Sequence, residues 1–307
     1  MRKIILTGTL LSVVVLAVAI YAAKSEYVFG VSIPRGYVAG KSATVWSNMM
    51  RTLFEIAKKE TGIAVNNNIQ FSWEQVMKDL DAGKVDISFL MSPDYILAAE
   101  AKAPIKIWLT YKVKGQKNFP TCIYVRGDSG FKKLSDMKGA TIAMELIPKA
   151  AQNKKKKYGI VGYGSAMFER IFLRKMMEDE GIKETPDKFF GKVEIVDNVE
   201  NCMSKVLKGE ADAAIASQRL YVLLTQAAPQ FKKLKSLKCI CEVPYSAIVY
   251  RDDVDEALIK KMGDFILTVH ERKDFEDFKM LSGVDQFLRL KYSEYAPMLS
   301  LLKEERE

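Results

Sequence analysis

The chain has 307 residues, 49% of them hydrophobic and 28% charged, a balance that fits a water-soluble protein with one or two packed cores and excludes both a disordered chain and a multi-span membrane protein. Its formal net charge of +9 favours anionic partners only weakly. Histidine occurs once, at His270; serine and cysteine triads need an imidazole base and most zinc sites need imidazole or paired thiolates, so catalytic residues, a metal and a cofactor are not expected.

In chain order, Met1-Arg2-Lys3 precedes an uncharged stretch from Ile4 to Ala23, closed by Lys24. A positive start and an apolar run are the marks of an export signal, and Ala17 with Ala19 allows cleavage after Ala19. At about 1.5 Å per residue the stretch also reaches roughly 30 Å, enough to cross a bilayer. A membrane tether through residues 4–23 therefore fits equally, and both readings export the rest of the chain, to the periplasm or to the outer face of the inner membrane. The segment has no cysteine, which removes a lipidated N-terminus.

Strand and helix signals then alternate, which argues for an α/β architecture. Tyr27 to Ile33 reads as a strand, and Val45, Trp46, Met49, Met50, Leu53, Phe54 and Ala57 recur at helical spacing. Ile69 to Phe71 is a short strand. Ser72-Trp73-Glu74-Gln75 is a capping box opening a helix that Gly83 closes. Val85 to Met91 is an apolar strand, after which Ser92-Pro93 supplies an N-cap and a first-turn proline. The second half reads as strand Thr141 to Met144, helix Ala166 to Met177, strand Val193 to Val196, helix Asn198 to Leu207 and strand Ala211 to Ala216. The apolar run Phe265, Ile266, Val269 places His270 at a helix C-terminus, an ordinary position for that residue.

The halves repeat each other. Met77, Gly83, Asp86, Tyr95 and Leu97 return at one constant spacing as Met203, Gly209, Asp212, Tyr221 and Leu223. Upstream, Ile33-Pro34, Ser42-Ala43 and Gly62-Ile63 are echoed by Ile147-Pro148, Ser165-Ala166 and Gly181-Ile182. Two similar α/β lobes follow. In open α/β sheets ligands sit beyond the carboxyl ends of the strands, where helix N-termini present unpaired N–H groups, so facing lobes would put two such ends on one cleft. The candidates are Ser92 and Tyr95 from the first lobe, Ser217 and Arg219 from the second, and Ser42 and Ser165 at the starts of the long helices. Gly164-Ser165-Ala166 is the strongest, because a hydroxyl beside the free N–H groups of a first turn can hold a tetrahedral oxyanion without a cationic side chain; the alternative is that Ser165 only caps its helix. Tyr163 and Tyr95 could offer phenolic donors, and Arg35 could pair an anion bidentately.

Other features point elsewhere or nowhere. Lys154 to Lys157 lacks aromatic interleaving and a binding motif, and reads as a solvated loop; no nucleic-acid partner is expected. No phosphate-cradling Gly-x-x-x-x-Gly-Lys loop and no Gly-x-Gly-x-x-Gly turn occurs. The carboxylates Asp252-Asp253 and Glu178-Asp179-Glu180 read as solvated surface. Cys122, Cys202, Cys239 and Cys241 lie in a compartment that can oxidise them, and Cys239 and Cys241 share a face if their run is a strand. One or two disulfides fit, with every pairing open, as does a reading of the thiols as small buried hydrophobes.

The run "CIYVRGDSG" from Cys122 to Gly130, followed by "FKKLSDMKGATIAM", resembles a stretch of the type 2 periplasmic binding proteins of the phosphonate-binding (PhnD-like) group. "LDAGKVDISFLMSPDYILAAE", "VLKGEADAAIAS", "VPYSAIVYRDDV" and "LSGVDQFLRLKYSEYAPM" are similar to further segments of that group in the same order, from about residue 27 to 302. The resemblance implies an exported, monomeric receptor that closes two lobes on a phosphate- or phosphonate-like anion and delivers it to the permease of an ABC importer. It sets the anion grip at Ser165, with Tyr163 and Gly164 before it, and matches Tyr95 to a first-lobe tyrosine. Where relatives that bind aminoalkyl phosphonates offer an acid, this chain has Ser217-Gln218-Arg219, so a plain oxyanion fits better than an aminophosphonate. The expected lobes are 24–117 with 251–307, and 118–250. Rival readings are a ligand-sensing subunit of a membrane signalling system and a receptor for a sulfonate, nitrate or another small organic acid; an enzyme is not expected.

Overall fold

The computed structural model describes residues 26–306 apart from 33–40, 71–72, 114, 119, 147–163, 242 and 245. The first stretch runs β1 (Glu26–Ser32), α1 (Lys41–Thr61), β2 (Ala64–Gln70), α2 (Trp73–Asp81), β3 (Ile87–Met91), α3 (Ser92–Glu100) and β4 (Ile105–Val113). The chain then crosses to β5 (Thr121–Arg126), β6 (Thr141–Glu145), α4 (Gly164–Asp179), the short α5 (Pro186–Phe189), β7 (Lys192–Val196), α6 (Val199–Lys208), β8 (Ala213–Ser217), α7 (Gln218–Ala227) and β9 (Leu234–Ile240). It returns through β10 (Ser246–Arg251), α8 (Glu256–Thr268), α9 (Glu276–Ser282), β11 (Val284–Leu288) and α10 (Leu299–Arg306).

Two sheets result, in the orders β11-β4-β10-β3-β1-β2 and β7-β6-β8-β5-β9. Strand β1 pairs in parallel with β2 and β3, as β6 does with β7 and β8, and β10 and β5 each lie antiparallel between their neighbours. Five strands of one sheet therefore match the five of the other. The strand at 246–251 pairs with β3 and β4 of the first sheet, so the return crossing lies before it, and the boundary at residue 250 read from the sequence moves back accordingly.

The repeated Gly-x-x-Asp has one physical role in both units. Gly83 and Gly209 take φ of +70° and +75°, which ends α2 and α6 in the left-handed conformation that suits glycine. Three residues later Asp86 accepts the Val28 N–H at 2.8 Å and Asp212 accepts the Thr141 N–H at 2.7 Å, so each carboxylate secures the start of a neighbouring parallel strand. Strand alternation then divides the apolar residues between the faces of each sheet. In the first sheet Phe29, Val31, Ile87 and Leu109 face α1, α8 and α9, whereas Leu90, Ala247 and Val249 join a core that continues through α3, α4 and α10 into the second unit.

Strand β2 begins five residues earlier than the sequence suggests. Asn66, Asn67 and Asn68 are poor strand formers, but full register with β1 from Glu26↔Ala64 to Ser32↔Gln70 overrides their preference, and Gln70 also donates to Asp79 of α2 at 3.1 Å. Cys122 and Cys239 form a disulfide between β5 and β9. Cys202 is a buried free thiol and Cys241 an exposed one. Among the described residues no helix is long and apolar enough to cross a membrane, and the stretch 4–23 lies outside them.

Candidate functional site

The carboxyl ends of the parallel strands set the site. Strand β4 runs in the same sense as β3, since both lie antiparallel to β10, so Val31, Phe89 and Tyr111 come near the same edge of the first sheet. In the second unit the corresponding edge is the end of β8, where Ser217 turns the chain into α7. Its Oγ accepts the Leu220 N–H at 3.3 Å and caps the helix. Arg219, in the first turn of α7, extends from there to the first unit: its guanidinium donates to the Tyr111 hydroxyl at 2.7 Å and lies 5.4 Å from the ring centroid. Phe89 stacks on Tyr111, with 5.7 Å between ring centroids and an interplanar angle of 21°. The two strand ends thus face one another across a single boundary.

Of the residues singled out in the sequence whose side chains are described, Arg219 is the one that the structure brings to this boundary. Ser217 is 4% exposed and serves as the helix cap. Ser92 is not the N-cap of α3, which is Met91. It is the first residue of the helix and completely buried, and its hydroxyl donates to the Pro244 carbonyl in the return crossing. Tyr95 is 4% exposed, edge-on to Tyr292 and Tyr295 at 6.1 and 5.0 Å between centroids, and burial pushes its phenol up to about 12. Both side chains pack at the junction of the units, among Pro244 and the rings of Tyr292 and Tyr295. Ser42 is the second residue of α1, and Gly164, Ser165 and Ala166 open α4. Tyr163, Arg35 and the lysine run lie outside the described residues.

The crossings between the units are tied to the first. Asn118 and Pro244 form an antiparallel bridge between the two crossing segments. The Ser246 carbonyl accepts from Thr110 and from the Tyr295 hydroxyl, each at 2.7 Å.

Sequence reading missed Tyr111 and Phe89. Strand β4, Ile-Lys-Ile-Trp-Leu-Thr-Tyr-Lys-Val, carries the signal in its two aromatics, but an aromatic in a strand is more often core than site. Also missed was a cavity of about 60 Å³ on the α1 face of the first sheet, reaching Arg219. Among the described residues no cluster of histidine, cysteine and carboxylate side chains could hold a metal ion.

Two similar α/β sheets, joined by paired crossings and meeting at their strand ends, define a class: the two-lobed periplasmic binding proteins of type 2. The sequence matches the family described as ABC transporter, phosphonate, periplasmic substrate-binding protein over residues 36–149 and 162–295. The chain belongs to that family, and is the solute-binding receptor of an ABC importer; the family is one of transport proteins, not of enzymes. Solved structures agree on the fold. PhnD1 from Prochlorococcus marinus, in complex with methylphosphonate, superposes with a TM-score of 0.68 at 12% identity, over 92% of this chain and 98% of that one. XAC2383 from Xanthomonas citri, bound to ATP, gives 0.66 at 17% identity over 92% and 98%. The binding protein component of an ABC phosphonate transporter (PA3383) from Pseudomonas aeruginosa gives 0.59 at 14% over 92% and 96%. No curated protein matches the sequence.

Proposed function

We propose that this receptor binds a small phosphorus oxyanion, a phosphonate, phosphite or phosphate, between its lobes and hands it to the permease of its importer. The observation that supports this reading most is the Arg219–Tyr111 contact. A cation at the end of one sheet, already meeting a phenol at the end of the other, is placed to bridge an anion to both lobes and so to favour their closed arrangement. The reading also assigns to the anion the first turns of α4 and α1, with Ser165 and Ser42, because helix N-termini present backbone N–H groups to negative charge. An aminophosphonate is disfavoured, because its ammonium would meet the Arg219 guanidinium.

The lobes are 26–113 with 246–306, and 121–240. The receptor works as a monomer, cleaved after Ala19 or tethered through residues 4–23, and sequencing the mature N-terminus separates these two forms. A thermal-shift screen against phosphate, phosphite, methylphosphonate, sulfate, taurine and nitrate tests the ligand class, since binding to the folded form alone raises the melting temperature by mass action. A shift with the phosphorus oxyanions is expected; shifts with sulfate, taurine or nitrate alone would overturn the reading. Titration calorimetry of Ser165→Ala and Arg219→Ala should then show affinity weakened by about 1–3 kcal/mol each, the usual cost of a lost hydrogen bond to a charged group. Unchanged affinity removes that residue from the grip.

A further inference from the structure

The first lobe contains space that its own core leaves unfilled. The cavity runs from Met262 and Ile266 on α8, past Trp108 and Phe54, to Val31 at the end of β1 and to Arg219. Among the described residues that line it, Arg219 is the one that comes from the other lobe, so the cavity ends at the boundary where the lobes meet. Its volume is about 60 Å³, where roughly 10–15 Å³ admits one water-sized body. A buried water needs two to four polar partners, and among the described residues these walls are aliphatic and aromatic up to the guanidinium and the Tyr111 hydroxyl it meets. Such a space stays dry and is open to apolar groups.

We infer that the receptor takes a phosphonate carrying a short apolar substituent, an n-propyl to n-butyl chain or a ring of similar bulk, with its charged head at Arg219 and its tail in this cavity. The inference rests on the oxyanion reading above and names the substituent that reading leaves open. Charge complementarity fixes the orientation: the head pairs with the cation at the mouth, and burying the head instead would strip an anion of water with no partner in an apolar wall. The capacity is roughly four to six water-sized bodies on the volume scale above, the scale of a short alkyl chain. Phosphate and phosphite would leave the cavity empty and forfeit its contribution.

The test is calorimetric affinity across methyl-, ethyl-, n-propyl-, n-butyl- and n-hexylphosphonate, with phosphate and phosphite beside them. Affinity should rise about fourfold for each methylene buried and stop rising after butyl. In Val31→Phe, which adds a ring to the cavity wall at the end of β1, the ratio of butyl to methyl affinity should fall to near one; Leu53→Phe, which fills the cavity from α1, serves where the first variant does not fold. A flat or falling series in the wild type, or a ratio preserved in a folded filled variant, overturns the inference while leaving the oxyanion reading intact. If no phosphorus oxyanion binds at all, it is the oxyanion reading that fails, and benzene then reads the cavity by itself. A melting-temperature rise with benzene in the wild type that Val31→Phe abolishes keeps the apolar subsite, and no rise removes it.

Discussion

The two strand–helix units built on Gly83–Asp86 and Gly209–Asp212 share a backbone and differ in what they present at its end. Both close a helix on a left-handed glycine and fasten a neighbouring strand through an aspartate. Both place a tyrosine in the following helix. In the first unit Ser92, Pro93, Asp94 and Tyr95 are all buried, and the tyrosine packs against Tyr292 and Tyr295. In the second, Tyr221 stacks on Tyr124 at 4.3 Å and donates to the Leu234 carbonyl at 2.9 Å, while Arg219 reaches the opposite lobe. The repeat encodes a scaffold. The copies disagree where the proposed anion grip differs, at Pro93 against Arg219.

The largest difference to break is covalent. The second sheet is closed by Cys122–Cys239, which bridges a sequence separation of 117 residues. The matching strands of the first sheet, β10 and β4, pair Ile248 with Leu109 and carry no cysteine. Cys239→Ala should cost about 2–5 kcal/mol, the usual penalty for losing a native disulfide, read by denaturant unfolding of the oxidised protein. The loss should be reproduced by reductant in the wild type. Equal stability with and without reductant would show that the second sheet does not depend on the bond.

The aspartates give a smaller and more pointed contrast. Asp86 is 1% exposed and lies 3.8 Å from Arg251, whereas Asp212 is exposed. Removing Asp86 leaves a strand N–H unpaired beside an interior that water does not reach, so Asp86→Ala should cost about 2–3 kcal/mol, against about 1 kcal/mol for Asp212→Ala, where water can replace the carboxylate. Equal costs would mean that the two turns are held by their glycines and not by their carboxylates.

Much of this frame was legible in the sequence because it is local. The glycines, the aspartates, the helix read from Asn198 to Leu207 and the apolar strand read from Ala211 to Ala216 are fixed by turn geometry and periodicity within a few residues. The site was less legible because its parts are remote. Arg219 could be placed at a strand end, but its partner Tyr111 stands on a strand whose sense is set by β10, far along the chain. Ser92 and Tyr95 make contacts with Pro244 and with the C-terminal tyrosines that no spacing announces. The cavity is the sum of residues from eight or more elements, each of which reads as ordinary core.

The smallest effect concerns the long helices at the lobe edges, and it has a sign. Aligning Ser42-Ala43 with Ser165-Ala166 sets Trp46 of α1 opposite Glu169 of α4. Glu169 is 1% exposed, and its carboxyl accepts the Glu145 N–H at 3.3 Å. Burial lifts its pKa well above the usual carboxylate range, the nearby Glu145 charge adds to this, and that backbone hydrogen bond and Arg170 oppose it. The same surroundings, burial first and then the Glu169 and Glu145 charges, raise the Cys202 thiol. Because the folded state holds the Glu169 proton longer than the unfolded chain does, the residue supports folding fully below the unfolded carboxyl pKa of about 4.3. That support is lost as pH rises toward the folded value. Glu169→Gln keeps the shape and removes the titration. Its melting temperature should exceed that of the wild type near pH 8, by a margin that shrinks steadily toward pH 4. A margin constant across that range would mean that Glu169 stays ionised in the folded protein, and that the acid has a charged partner at the α4 end of the cleft which its apolar counterpart in the first lobe does not need.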